Sequence, residues 1–170
     1  MIERQATSGD QTSGALYSEC LSYRYGLWRR WGDGGEVLYI MLNPSTATEL
    51  ANDPTIERCQ RRAVQLGFGA MRIANLFGRR ATRPEDLRRA ADPVGGDNDD
   101  VLRDWAARSD MILAAWGVHG AHKGRAQVVA GWLKGDVRHL GLTKQGHPRH
   151  PLYVSYKIAP TPWPLSQRYP

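Results

Sequence analysis

The chain has 170 residues, 41% hydrophobic and 24% charged, which is near the globular average and excludes disordered and fibrous classes. Its two cysteines, Cys20 and Cys59, have no metal-like spacing, which excludes a disulfide scaffold, a zinc ribbon and a four-cysteine iron–sulfur cluster. Lys and Arg number 23 against 17 Asp and Glu, a net charge of +6 with a pI near 9.6.

Residues 1–14 (MIERQATSGDQTSG) are polar and have no apolar core. They are not read as a signal peptide, and a flexible segment is expected there, ahead of a single domain over 15–170. Residues 16–31 mix aromatics and leucines with polar residues before the turn GDGG, which predicts a strand or hairpin. The run VLYIML (37–42) is apolar throughout, as in a strand buried on both faces. Asp53-Pro54 has the form of a helix N-cap followed by proline at the first helical position, so a helix is expected from there to Leu66. A second buried strand is predicted over 71–76, short helices over 84–90 and 99–108, and a third strand over 111–116 (MILAAW). A helix over 120–133, a short strand over 137–140 and an extended proline-rich tail from 160 complete the chain. The apolar runs are far shorter than the roughly 20 residues of a membrane helix, so no membrane association is expected. A reduced cytoplasm is the expected location.

Strands alternating with helices predict a three-layer α/β/α fold. Its centre would be a mainly parallel four-stranded sheet, with the N-terminal strand or hairpin added. Ligands in such sheets bind outside the carboxyl ends of the strands. GxxxxGK[ST] and GxGxxG are both absent, which removes the usual support for nucleoside-triphosphate and dinucleotide folds. The strand ends carry the candidate site residues. Asn43, followed by Pro44, is held extended after the first strand; it either faces a ligand or only ends the strand. Asn75 is an amide inside an apolar strand, suited either to neighbouring backbone or to a nucleobase edge. Asp53 is the cap and also a carboxylate near Asn43, and so the spare candidate for general base. His147 and His150, in QGHPRHPLY, are candidate hydrogen-bond donors or general acids. His119 falls in the turn after the third strand. No metal ligand set and no cofactor is expected.

The net charge is concentrated: between residues 55 and 90 nine arginines stand against three acids, an excess equal to that of the whole protein. Guanidinium groups pair bidentately with phosphate, so Arg58, Arg79 and Arg80 are candidate phosphate ligands. The alternative is a solvated helix face. Trp28 and Trp31 beside Arg29 and Arg30 could form a stacking edge for bases or belong to the core.

In this order the motifs resemble the uracil-DNA glycosylase superfamily. MLNPSTA stands where that superfamily carries GQDPYH or, in its mismatch-specific branch, GINPG, and Asn43-Pro44 matches the latter. RIANLF places Asn75 where several branches carry a base-reading asparagine. AAWGVHGAHKG (114–124) resembles LLWGSHAQKKG. GHPRHPLY (146–153) resembles the HPSPL motif, with one extra residue. The chain from 17 to 156 is also similar to an uncharacterised bacterial family, domain of unknown function sixteen forty-three, through LNPSTA, NDPT, NLF, RATxPxxL and HPLY.

The glycosylase resemblance implies hydrolysis of an N-glycosidic bond on a nucleobase in DNA or on a nucleotide. Asn43 would position the water, because an amide is no base at neutral pH. His150 or His147 would stabilise the leaving base. Ser45, Asp53, Asn75 and His119 would contact the base or substrate, and Leu152 would act as an intercalating wedge. The partner would be nucleic acid or a nucleotide; oligomeric state is silent in the sequence. Two alternatives remain at this point: a hydrolase of small nucleosides, nucleotides or modified bases, and a non-catalytic nucleic-acid-binding module of the same fold.

Overall fold

The computed structural model describes residues 1–169. One eight-stranded mixed sheet runs through it. Its strands are β1 (Ile2–Ser8), β2 (Gln11–Tyr17), β3 (Arg24–Arg30), β4 (Glu36–Met41), β5 (Ala70–Asn75), β6 (Met111–Ala114), β7 (Val137–His139) and β8 (Thr161–Pro162). Their spatial order is β1-β2-β3-β5-β4-β6-β7-β8. Four of the seven pairings are antiparallel, and the three that join β5, β4, β6 and β7 are parallel. The sheet is thus twice as wide as the four strands expected and mixed in direction. The sequence misses the extra width because β1 is exposed along nearly its whole length and shows no apolar alternation.

Residues 1–14, expected to be flexible, instead form β1 and the start of β2, a hairpin registered from Ile2↔Tyr17 to Ser8↔Gln11. Backbone pairing with β2, and not side-chain burial, holds this edge strand.

Four α-helices cover the sheet: α1 (Pro54–Gln65), α2 (Pro84–Arg89), α3 (Asn98–Arg108) and α4 (Arg125–Trp132). Side chains along β4 alternate between two cores. Val37, Tyr39 and Met41 pack with Ile56, Cys59 and Ala63 of α1. Leu38 and Ile40 pack with Leu87 of α2, Leu102 and Trp105 of α3, and Val129 of α4. Helices therefore lie on both faces, with α1 alone on one side. The helix expected over 120–133 is two pieces, a 3-10 turn (Val118–Gly124) and α4. Lys123 and Gly124 break it with φ of 53° and 65°, a backbone that interrupts the helical ladder. The tail includes β8 and a 3-10 turn (Leu165–Gln167); Pro170, part of the expected extended tail, lies outside the described residues. Trp28 and Trp31 are structural: Trp28 lies flat against Gly14, and Trp31 Nε1 donates to the Phe68 carbonyl at 2.9 Å.

Candidate functional site

A cleft of about 490 Å3 opens at the carboxyl ends of β4 and β6. Asn43 and Ser45 reach it from the turn after β4, Asp53 and Thr55 from the start of α1, and His119 from the turn after β6. His150 and Tyr153 close it from the segment near the C-terminus. Five residues singled out in the sequence thus meet in one place: Asn43, Ser45, Asp53, His119 and His150.

Each is held by local chemistry. Asn43 Nδ2 donates to the carbonyls of Pro44 at 3.0 Å and Ala81 at 2.7 Å. That ties the turn after β4 to the segment before α2 and leaves Oδ1 as the free end of the amide. Asp53 caps α1 through an Oδ1 that accepts from the Ile56 N–H at 2.9 Å, with extended backbone (φ −89°, ψ 173°) and Pro54 behind it. The cap and the site residue are one group, since Asp53 also lines the cleft.

His150 precedes a 3-10 turn (Pro151–Tyr153), and its Nδ1 accepts from the Leu152 N–H at 3.3 Å. In the neutral ring the proton then sits on Nε2, which becomes the donor available to the cleft. Burial pushes the His150 pKa below its ordinary value, against an upward pull from the Asp53 carboxylate. His119 Nδ1 lies 3.1 Å from Arg88 Nη2, which can only donate. Gly117 forms the floor beneath His150. Its φ of 71° and ψ of −172° are open to glycine alone, and its N–H donates to the Pro148 carbonyl at 2.8 Å.

Other predicted residues are placed differently. His147 is buried outside the cleft, with Nδ1 2.8 Å from the Tyr169 hydroxyl, which in turn accepts from Trp116 Nε1 at 2.9 Å. It fastens the C-terminal segment, and His150 is the histidine at the cleft. Leu152 is half-buried in the 3-10 turn and does not line the cleft; its neighbour Tyr153, 83% exposed, stands at the mouth. Asn75 ends β5 opposite Met41 and is 1% exposed, with no hydrogen-bond partner for either amide atom. It does not line the cleft.

The arginine segment divides. Arg58 Nη2 donates to the Val154 carbonyl at 2.7 Å, and Arg58 lies over the Tyr156 ring. Arg62, 2% exposed, donates to the carbonyls of Val154, Ser155 and Ile158. Arg72 is paired with Glu36 at 2.6 Å. These groups hold protein backbone or a carboxylate, Arg58, expected at a phosphate, among them. Arg79 and Arg80 lie over the rings of Tyr23 and Tyr17, beside the cleft and not in it.

Sequence reasoning passed over Arg24, Thr55 and Tyr153, all of which line the cleft. Arg24 is 2% exposed. An arginine between tyrosines in a strand, YRYGLW, was the available signal, since a charged group on a buried strand needs a partner.

Among the described residues no helix is long and apolar enough to cross a membrane, and no group of three or more His, Cys, Asp or Glu is placed to hold a metal ion. Fold and site together define a mixed α/β protein with one cleft at the ends of parallel strands, rimmed by amide, carboxylate and imidazole groups. The chain belongs to the family described as Protein of unknown function (DUF1643), whose profile matches residues 24–152. That span runs from Arg24 to Leu152 and takes in every cleft residue named above except Tyr153. No curated protein and no solved structure matches the chain.

Proposed function

We propose that the cleft hydrolyses the N-glycosidic bond of a nucleobase, carried either in DNA or on a nucleotide. The observation that carries this reading is the meeting of Asn43, Asp53 and His150 around one cleft at the ends of parallel strands. The resemblance of MLNPSTA and GHPRHPLY to glycosylase motifs supports it, as does the parallel run β5-β4-β6-β7 beneath the cleft. The volume falls in the range of roughly 300–1,000 Å3 typical of small-ligand sites.

The bond between the base nitrogen and the sugar C1′ breaks first, and its electron pair goes to the base. His150 donates its Nε2–H as that negative charge develops, and burial keeps the ring neutral and suited to this task. A water accepted by Asn43 Oδ1 adds to the sugar cation. Its proton passes to the Asp53 oxygen that does not cap α1 and then to the released base. The products are the free base and a sugar with a C1′ hydroxyl.

The test is incubation with oligonucleotides carrying uracil, hypoxanthine or other altered bases, and with free nucleotides, followed by chromatography for released base. Release is expected from at least one of them. His150→Ala should lower it by about a hundredfold or more, the usual scale for a positioned donor. Absence of free base from every substrate, with the fold intact, overturns the reading.

A further inference from the structure

Arg24 is a buried cation that makes no direct ion pair among the described residues, although the Asp53 carboxylate on the same cleft attracts it. The residue is 2% exposed and lines the cleft. Its side chain makes one hydrogen bond, from Nη1 to the Ala47 carbonyl, and Nε is buried with no partner. Burial lowers its pKa to about 10, so it remains a cation at neutral pH. A buried guanidinium with open donors strongly favours an anion beside it.

The start of α1 adds to this. Pro54 has no N–H, and the N–H groups of Ile56 and Glu57 both donate to Asp53. The remaining first-turn donor is the N–H of Thr55, which lines the same cleft. A helix N-terminus favours negative charge. Asp53 is the opposing group; its cap bond holds one oxygen on the helix.

We propose that Arg24 and the start of α1 form a subsite for a terminal phosphate, so that the ligand is a nucleoside monophosphate and not a nucleic-acid strand. An internal phosphodiester carries a sugar on each side, and a group as enclosed as Arg24 admits only a chain end. The surface agrees. Arg58, Arg62 and Arg72 are occupied internally, and Arg88 is held by His119. Arg79 and Arg80 lie on tyrosine rings, which leaves Arg83, Arg89, Lys123 and Arg149 as the scattered exposed cations around the cleft and no continuous track for a polymer backbone. The subsite rests on the nucleobase reading above for the rest of the ligand.

The experiment is calorimetric titration of the intact protein at fixed ionic strength. The probes are each common nucleoside, its 5′-monophosphate, inorganic phosphate, and a single-stranded 20-mer without terminal phosphate. For at least one base the monophosphate is expected to bind about tenfold or more tighter than the nucleoside, the scale of one charge-assisted contact. Inorganic phosphate should compete with it. Arg24→Met should abolish the difference between nucleoside and monophosphate, and Arg24→Lys should keep part of it, with circular dichroism to establish folding. If Arg24→Met does not fold, the wild-type comparison decides alone. Equal binding of nucleoside and monophosphate, or tighter binding of the 20-mer, overturns the subsite. Phosphate-dependent binding without any released base overturns the hydrolase and leaves the subsite standing. Base release indifferent to the phosphate does the reverse.

Discussion

Arg58 and Arg62 of α1 spend their guanidinium groups on carbonyls of residues 151–158, whereas Arg83 and Arg89 around α2 lie in solvent and their neighbour Arg88 reaches only the exposed His119 ring. The two groups come from one basic stretch and have the same chemistry. Their fates differ through spacing and neighbours. Arg58 and Arg62 are four residues apart and share a helix face, which meets the carbonyls of Pro151, Val154, Ser155 and Ile158. Arg61, between them, faces outward and pairs with Glu57 at 2.8 Å. The arginines of α2 sit on a helix of six residues that buries only Leu87. Local charge density therefore does not locate a binding surface until the internal demands on each arginine are known.

The sharpest way to break the contrast is Arg62→Leu. It removes three hydrogen bonds and leaves the Ile158 carbonyl without a donor, while Val154 keeps Arg58 and Ser155 keeps the Ile158 N–H; a loss of about 3 kcal/mol is expected in urea unfolding. His150 sits next to the freed segment, so activity should fall with it. Gly117→Ala attacks the same region from below. Its backbone conformation excludes a Cβ, and a loss of about 2 kcal/mol is expected.

Acid should act through the buried histidines as well. Burial lowers the pKa of His139, His147 and His150 below the ordinary 6.5. The unfolded chain then binds protons that the folded one does not. Stability is complete above about pH 6.5 and falls as the pH drops below it, so the urea midpoint should decrease from about pH 7.5 to about pH 5. His147→Gln should flatten that slope. The smallest effect is expected from Arg83→Gln with Arg89→Gln: stability should change by less than about 0.5 kcal/mol, because both side chains are exposed and neither has a hydrogen-bond or ion-pair partner among the described residues. A large loss there would erase the distinction between the two groups.

Much of the scaffold was legible because it rests on local rules. The Asp53-Pro54 cap starts α1 where expected, and the apolar runs at 37–42, 71–76 and 111–116 mark the strands that carry the cleft. Asn43 and His150 were legible as polar groups fixed by adjacent prolines. The rest depended on partners distant in the chain. Nothing near His147 announces Tyr169, and nothing near Arg62 announces the carbonyl of Ile158, 96 residues on. The edge strand β1 was hidden because hydrogen bonds, and not burial, define it.

The clamp also sets an order of assembly. When α1 and the strands around it first come together, Arg58 and Arg62 have no carbonyls to meet and stay hydrated. They can shed that water only when residues 151–158 arrive. His150 immediately precedes this segment, so the piece that satisfies the two arginines also completes the cleft. A ribosome-bound chain short of this point has β1 to β7 but lacks β8 and the His150 wall of the cleft, and the desolvation of two arginines accompanies the closing of that wall.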